Sequence, residues 1–269
     1  MIKAIFFDID GTLLSHSTQS VPESTKLALQ LLKEKGIYTF IATGRHISEI
    51  RDLPLDDLEF EGYITLNGQY CYNKNKVIYD LPIDPQDIQQ ILSFIDQKPF
   101  PCIFVEDDKM YINYHNQAVE TVQKAISTPL PELGDLKRGL THPIYQVIPY
   151  DITVEQEQEI LQQMPHCQYT RWHDLAIDII PKKGGKQNGI LEVLKSYHIS
   201  LEETMAFGDG HNDIDMLKLV NIGVAMGNAK DEVKEAADEV TDDIDHDGIY
   251  QALKRHHICL LYTSDAADE

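Results

Sequence analysis

Two hydrophobic patterns alternate along this chain. Apolar runs at residues 2–7, 37–42 and 204–207 carry almost no charge, which is typical of parallel strands buried on both faces. Between the runs lie segments with apolar residues at helical spacing, such as residues 186–197, and these predict helices that cover the sheet. Because strand and helix alternate, we predict an α/β fold with a doubly wound, Rossmann-like parallel sheet as its core.

The middle of the chain has a different pattern. Between residues 83 and 181, short predicted strands, for example 102–105 and 176–180, alternate with helical segments in the manner of an antiparallel α+β module. We therefore predict a catalytic core made of residues 1–82 and 182–259, with an inserted α+β cap at 83–181 that could move as a lid. Residues 260–269 show no periodicity, and we interpret them as a non-native or disordered tail.

Composition narrows the range of partners. The 269 residues include 44 acidic and 23 basic side chains, and the formal charge of −21 disfavours nucleic acid as a partner. An anionic small molecule remains compatible with this charge, because long-range repulsion is screened beyond about 8 Å at physiological salt. The pattern shows no membrane span and no signal peptide, and the four cysteines have no metal-binding or disulfide spacing. We expect a cytoplasmic protein with reduced thiols, and no feature indicates its oligomeric state.

Candidate chemistry begins where the first predicted strand ends. Asp8-Ile9-Asp10-Gly11-Thr12 places two carboxylates at a strand's carboxyl end, where open α/β sheets bind their ligands, and Gly11 permits an abrupt turn. We interpret Asp8 as a nucleophile and Asp10 as an acid or base. A calcium loop is the main alternative, but Leu13 and Leu14 stand where further oxygen ligands would be needed.

Polar residues follow other predicted strands or begin the helices between them. Thr43, Gly44 and Arg45 follow the second strand, Lys186 begins a helix, and Asp209, Asn212 and Asp213 follow the strand at 204–207. Taken singly, Thr43 is also compatible with an ordinary helix cap and Lys186 with a solvated helix-start lysine. A lysine at a helix start opposes the helix dipole, however, and therefore favours a nearby anion. Because all these positions converge on one sheet edge, we predict a single site there.

These four stretches carry a resemblance to a known family. Asp8 to Thr12, Thr43 to Arg45, Lys186, and Gly208 to Asp213 are similar, in this order, to the four motifs of the haloacid dehalogenase superfamily of phosphohydrolases. The insertion and the stretch Gly223-Val224-Ala225-Met226-Gly227-Asn228-Ala229 resemble the Cof-type subfamily with a large α/β cap. Residues 101–106 and Arg171-Trp172 resemble, more weakly, the bacterial hexose-phosphate phosphatases.

The resemblance implies a role for each residue. Asp8 would attack phosphorus and form an aspartyl-phosphate, and Asp10 would act as acid and base. Mg²⁺ would be held by Asp8, the Asp10 carbonyl and Asp209. The phosphoryl group would be held by a set that consists of Thr43, Gly44, Lys186 and Asn212, with Asp213 in a supporting role.

The implied substrate is a small phosphate ester, with hexose phosphates as the expected class. Arg45, Arg171 and Trp172 are the predicted contacts to the leaving group. Two other functions are compatible with the same residues: a phosphomutase, which returns the phosphoryl group to the substrate, and a phosphate-metabolite sensor or receiver-like phospho-acceptor protein. Receiver domains are much shorter and have no cap, so we favour a hydrolase.

Overall fold

The computed structural model describes residues 1–55, 58–126 and 128–258. Its strands and helices, in chain order, are β1 Ala4–Phe7, α1 Glu23–Glu34, β2 Tyr38–Ala42, α2 Ile47–Arg51, β3 Gly62–Thr65, β4 Tyr70–Asn73, β5 Val77–Asp80, α3 Pro85–Gln97, β6 Cys102–Val105, β7 Met110–Ile112, α4 Gln117–Ala125, β8 Glu132–Leu133, β9 Gln146–Pro149, α5 Val154–Gln163, β10 Cys167–His173, β11 Ala176–Pro181, α6 Lys186–Tyr197, β12 Thr204–Gly208, α7 Ile214–Leu219, β13 Ile222–Ala225, α8 Asp231–Ala236, β14 Glu239–Val240 and α9 Gly248–Arg255. Short 3₁₀ turns include Leu66–Gly68 and His211–Asp213.

Contacts divide the chain into two compact units. Among the described residues, the first contains Met1–Gly44, Arg51–Ile78 and the chain from Gly185 to residue 258, and the second contains Arg45–Ile50 and Tyr79–Gly184. The sequence did not indicate that Arg45–Ile50 would group with the second unit. The domain boundaries predicted from the sequence, with a core of residues 1–82 and 182–259 and a cap of residues 83–181, stay a prediction.

The first unit is built on an eight-stranded sheet with the order β14-β13-β12-β1-β2-β3-β4-β5. The strands from β14 to β3 pair in parallel, and β4 pairs antiparallel to β3. The chain runs outward from the central β1 in one direction through β2 and β3, and in the other through β12, β13 and β14. This is the doubly wound topology that the alternating pattern predicted, and the fold class is confirmed.

Both faces of this sheet are covered. Phe6 and Phe7 are adjacent on β1, so their side chains point to opposite faces, yet neither is exposed to solvent. Phe6 stacks on Phe40 of β2 with ring centroids 5.2 Å apart, and Phe7 stacks on Phe207 of β12 at 5.3 Å. A strand buried on both faces explains why the sequence of β1 is a continuous apolar run.

The second unit contains a six-stranded sheet with the order β10-β11-β9-β6-β7-β8. Its neighbouring strands are antiparallel except β7 and β8, which are parallel. Phe104, Val147 and Ile179 are neighbours across three of these strands and belong to one buried cluster, which also includes Phe94 of α3 and Ile160 of α5. The predicted α+β character of this region is confirmed.

The main difference from the predicted elements is β10. Residues 168–172 of this strand are all exposed, so the sequence carries no alternation that would predict a strand there. The strand forms because its backbone pairs along its length with β11, and it lies at the edge of the sheet. Helix α2 and the two-residue strand β8 were not predicted either. The predicted ranges given above end within two residues of the observed elements.

The structure describes three of the four cysteines. Cys71, Cys102 and Cys167 are buried free thiols, whereas Cys259 and the predicted tail at 260–269 lie outside the described residues. Within the described part of the chain, no helix combines the length and the apolar character needed to cross a bilayer.

Candidate active site

The predicted site residues of the first unit lie at the ends of adjacent strands. Asp8 follows β1, Thr43 follows β2 and Asp209 follows β12, and β1 lies between the other two strands. Because the three strands are parallel, their carboxyl ends meet at one edge of the sheet. Sequence-distant side chains are brought together there by topology alone.

The centre of this edge is a buried lysine held by two carboxylates. Nζ of Lys186 donates to Oδ1 of Asp8 and to Oδ1 of Asp213, each at 2.6 Å. The side chains of Lys186 and Asp213 are completely buried, and that of Asp8 is 9% exposed. Lys186 is the first residue of α6, where its charge opposes the helix dipole, so the two carboxylates compensate both its burial and its position.

Asp213 also fixes the loop that follows β12. Its Oδ2 accepts from the backbone amides of Asp209, at 3.1 Å, and Gly210, at 2.9 Å. A Cβ at Gly208 would lie 2.6 Å from the Cβ of Asp213, so the loop needs glycine at that position. Asp213 therefore orients both Lys186 and the Asp209 loop.

The carboxylate of Asp209 is held from two sides. Oγ1 of Thr12 donates to its Oδ1 at 3.2 Å, and Nδ2 of Asn228 lies 3.3 Å from its Oδ2. The same Asn228 amide donates to the carbonyl of Gly11 at 2.8 Å and thus joins the first loop to the Asp209 loop. Gly11 has φ +80°, and a Cβ there would lie 2.2 Å from Asp209 Oδ2, so only glycine fits.

Burial and crowding of negative charge shift the pKa values of this group. The pKa of Asp8 is raised by burial and by Asp213, although Lys186 opposes the shift. Burial and Asp213 raise the pKa of Asp209 to about 6. Burial lowers the pKa of Lys186, but the adjacent Asp213 and Asp8 outweigh burial and raise it. The site therefore holds more negative charge than one lysine neutralises.

The donor atoms fit a hard divalent cation. Among the described residues, Asp8, Asp209 and Asp213 each offer a carboxylate oxygen within 4.8 Å of the other two. Oxygen ligands on an octahedral Mg²⁺ lie about 2.1 Å from the ion, so those on opposite sides are about 4.2 Å apart. Asp213 is completely buried and accepts hydrogen bonds from Lys186 and two backbone amides, whereas Asp209 is partly exposed and its two hydrogen bonds are longer, at 3.2 and 3.3 Å. This favours Asp8 and Asp209 as direct ligands and Asp213 as their support.

A second group of contacts surrounds Thr43, which is buried. Its carbonyl accepts from the amide of Asn67 at 3.0 Å, and the carbonyl of Asn67 accepts from the amide of Gly185 at 2.7 Å. Nδ2 of Asn212 donates to Oδ1 of Asn67 at 3.0 Å. The structure thus brings the predicted phosphate-binding residues Thr43, Lys186 and Asn212 to the same edge, with Asn67 between them.

Asp10 lies in a tight loop beside this edge. It is half-buried, and it forms an isolated bridge with Leu14, whose carbonyl accepts from the amide of Gly11 at 2.9 Å. The hydrogen bond between Gly11 and Leu14 therefore closes a short loop just after Asp8.

The three predicted leaving-group contacts belong to the second unit. Arg171 pairs with Glu157 and donates to the carbonyls of His173 and Asp174. Nε1 of Trp172 donates to Oδ1 of Asp178 at 2.7 Å, and 38% of Trp172 is exposed. Arg45 is half-buried and groups with the second unit. The contacts of Arg171 explain its side-chain position without a ligand.

Comparison with known proteins agrees with this geometry. A family model described as haloacid dehalogenase-like hydrolase matches residues 5–253. The chain belongs to the haloacid dehalogenase-like hydrolases. A relative from Bacillus subtilis (strain 168), named "Putative phosphatase YkrA", is 36% identical over 255 residues, which cover 94% of this chain and 96% of the relative.

Two solved structures of this family are also similar. One, described as the HAD subclass IIB sugar phosphatase BT4131, is 41% identical with a TM-score of 0.81, covering 96% of this chain and all of the other. The other, the phosphatase BT1666 from Bacteroides thetaiotaomicron, is 34% identical with a TM-score of 0.87, covering 96% of each chain. The resemblance predicted from the four motifs is confirmed.

Two residues of this family member were not predicted as site residues. Asn67 follows β3, so its strand-end position is the same signal that identified Thr43. Asn228 lies in the stretch that resembled the Cof-type subfamily. Its contact partner Asp209 is 19 positions earlier, and no local sequence pattern indicates that the two residues meet.

Proposed function

We propose that this chain is a magnesium-dependent phosphomonoester hydrolase that acts on small phosphorylated metabolites, with hexose phosphates as its substrate class. Membership of the family and similarity to the phosphatases described above support the phosphatase activity itself. The observation that carries the proposed mechanism is the buried contact of Lys186 with Asp8, beside the carboxylate of Asp209.

In the first step, a carboxylate oxygen of Asp8 attacks phosphorus and the bond from phosphorus to the ester oxygen breaks. A carboxylate suits this role because it attacks without first losing a proton and because its acyl phosphate is a labile anhydride. The contact with Lys186 fixes the orientation of Asp8 before substrate arrives.

Asp10 supplies the proton that the departing ester oxygen needs. In the second step, water attacks the phosphorus of the aspartyl-phosphate and gives its proton to Asp10, which restores both carboxyl groups and releases inorganic phosphate. Thr43, the Gly44 amide, Lys186 and Asn212 hold the phosphoryl oxygens in both steps, so that catalysis is mostly positioning and charge stabilisation.

Asp8, Asp209 and the Asp10 carbonyl would hold Mg²⁺, with Asp213 as support. When bound, the ion supplies positive charge that offsets the carboxylates and the phosphoryl oxygens. The all-oxygen donor set and the raised pKa values of Asp8 and Asp209 support this assignment.

The substrate class rests on similarity and on chemistry. The sugar phosphatase BT4131 is 41% identical to this chain over almost its whole length. A small sugar phosphate is compatible with the net charge of −21, whereas the same charge disfavours a nucleic acid. We also propose a cytoplasmic location, and we retain Arg45, Arg171 and Trp172 as proposed leaving-group contacts.

The test is phosphate release from a panel of hexose, pentose and nucleoside monophosphates, with Mg²⁺ and with EDTA. We expect release from the hexose phosphates with Mg²⁺, none with EDTA, and none with Asp8→Asn under either condition. An isomerised sugar phosphate without free phosphate would instead identify a mutase. An acyl-phosphate that persists for minutes would identify a phospho-acceptor protein.

A further inference from the structure

The turn after β3 has an unusual backbone. Three consecutive residues have positive φ: Leu66 at 51°, Asn67 at 53° and Gly68 at 89°. A Cβ makes this left-handed region unfavourable, so glycine adopts it readily, asparagine occasionally and leucine rarely. Conformations of this kind persist where the surrounding contacts hold them, and they cluster at functional sites.

The backbone of Asn67 joins two parts of the proposed phosphate-binding set. Its amide donates to the carbonyl of Thr43 at 3.0 Å, and its carbonyl accepts from Gly185, the residue before Lys186, at 2.7 Å. A Cβ at Gly68 would lie 2.2 Å from the Gly185 carbonyl oxygen, so the two segments approach as closely as glycine allows.

The side chain of Asn67 contacts two further members of that set. Oδ1 accepts from Nδ2 of Asn212 at 3.0 Å. The same amide lies against Gly44, where an added Cβ would be 3.1 Å from Oδ1 and 3.2 Å from Nδ2. One residue therefore touches segments that carry Thr43, Gly44, Lys186 and Asn212.

We propose that Asn67 is a positioning residue for phosphoryl binding, and that its side chain holds the Asn212 amide beside Gly44. This inference rests on the proposed phosphatase function, because it concerns the same site. The turn would set the backbone path, and the side chain would set where Asn212 and Gly44 meet the phosphoryl oxygens.

An alternative is that asparagine is present only because it tolerates left-handed backbone. Asn67→Gly separates the two roles, since glycine keeps that conformation without strain and removes only the side chain. His198→Gly is the matched control: His198 also has a left-handed backbone, φ 56°, but it lies at the C-terminal end of α6, whereas Lys186 begins that helix.

The experiment measures four quantities for wild type, Asn67→Gly and His198→Gly: calorimetric binding of inorganic phosphate with Mg²⁺ present, kcat/KM for p-nitrophenyl phosphate, the half-saturating Mg²⁺ concentration, and the urea unfolding midpoint. We expect Asn67→Gly to weaken phosphate binding about tenfold and to lower kcat/KM by at least as much. The half-saturating Mg²⁺ concentration and the midpoint should change no more than in His198→Gly.

A double-mutant cycle with Asn212→Ala tests whether Asn67 affects phosphate binding through Asn212. If Asn67 acts through Asn212, the double variant should bind phosphate about as well as the weaker single variant. Phosphate binding by Asn67→Gly within twofold of wild type, additive losses in the cycle, or an equal loss of Mg²⁺ affinity would each overturn the inference. A wild type that binds phosphate but hydrolyses no ester would contradict the proposed function instead, and phosphate binding would still decide the role of Asn67.

Discussion

Nζ of Lys186 lies 2.6 Å from Oδ1 of Asp8, and the contact joins residues 178 positions apart in the sequence. Both side chains are buried, so water competes little with the pairing of the two charges. A buried ion pair is weak evidence for stability as such, but breaking one leaves an uncompensated charge. The arrangement therefore makes the proposed nucleophile and its lysine depend on each other.

We predict that Lys186→Met is destabilised as well as inactive. Removal of the ammonium leaves Asp8 and Asp213 close together without their cation, which should cost about 3–5 kcal/mol in unfolding free energy. The loss of kcat/KM should be at least about 10²-fold. Urea unfolding and phosphate release measure the two effects.

Lys195→Met provides the matched control. This lysine is on the same helix and pairs with Glu192, but 69% of its side chain is exposed, so its loss should cost little. The double variant Asp8→Asn with Lys186→Met should regain part of the lost stability. Equal unfolding free energies for the two lysine variants would contradict the prediction.

A second prediction concerns Asn228 and metal affinity. Asn228→Ala removes the amide that donates to the Gly11 carbonyl and lies 3.3 Å from the Asp209 carboxylate. Groups that orient a metal ligand typically contribute 10- to 100-fold in affinity, so half-saturating Mg²⁺ should rise about tenfold or more. Calorimetric Mg²⁺ titration measures it, with Asn75→Ala in an exposed turn as the control. An unchanged Mg²⁺ titration would show that Asn228 does not orient Asp209.

A third prediction is a pH dependence of stability in the second unit. Burial raises the pKa of Asp178 to about 6, although hydrogen bonds from Trp172 and Gln146 oppose the shift. Between about pH 4 and pH 6 the folded state therefore holds a proton that the unfolded state has lost, so stability should fall as pH rises through this window. Above about pH 6 this contribution is constant.

Asp178→Asn should remove that dependence. The amide oxygen can still accept from Nε1 of Trp172, and the variant should be more stable than wild type at pH 8 by about 1–3 kcal/mol. Urea unfolding of both proteins at pH 4 and pH 8 measures the difference, with Asp96→Asn at an exposed position as the control. A difference that does not change with pH would contradict the prediction.

The sequence predicted those parts of the site that follow from strand ends. Apolar runs located β1, β2 and β12, and parallel topology then placed Asp8, Thr43 and Asp209 at one edge. The complete burial of Lys186 could not be predicted, because it depends on two carboxylates from distant loops. Strand β10 could not be predicted either, since its exposed side chains show no alternation and only its pairing with β11 defines it.

A fourth prediction concerns the leaving group. Trp172 is partly exposed, whereas Arg171 is held by Glu157 and two carbonyls, so the two residues should differ when replaced. Trp172→Ala should change the ratio of kcat/KM between two hexose phosphates more than it changes turnover of p-nitrophenyl phosphate. Arg171→Ala should change this ratio as well, and because it loses the contacts with Glu157 and two carbonyls it should also lower the unfolding midpoint. Equal losses on every ester for Trp172→Ala would remove it from the proposed leaving-group contacts.

The last prediction separates Asp8 from Asp10. Asp8→Asn is nearly isosteric but a poor nucleophile, so it should abolish phosphoryl transfer while the protein stays folded, and no acyl-phosphate should form. Asp10→Asn keeps the nucleophile and loses the proton donor. It should slow cleavage of a sugar phosphate, whose alkoxide needs a proton, more than cleavage of p-nitrophenyl phosphate, whose leaving group departs without one.

Single-turnover kinetics of both variants on both esters distinguish these roles. Because water must also lose a proton in the second step, Asp10→Asn should release phosphate slowly after either ester and should accumulate the acyl-phosphate with the aryl ester. Trapping of the acyl-phosphate in acid measures this accumulation. An Asp8→Asn protein that still traps phosphate would transfer the nucleophilic role to another residue. An Asp10→Asn protein whose first step, cleavage of the ester bond, is slowed equally for both esters would show that Asp10 does not protonate the leaving oxygen.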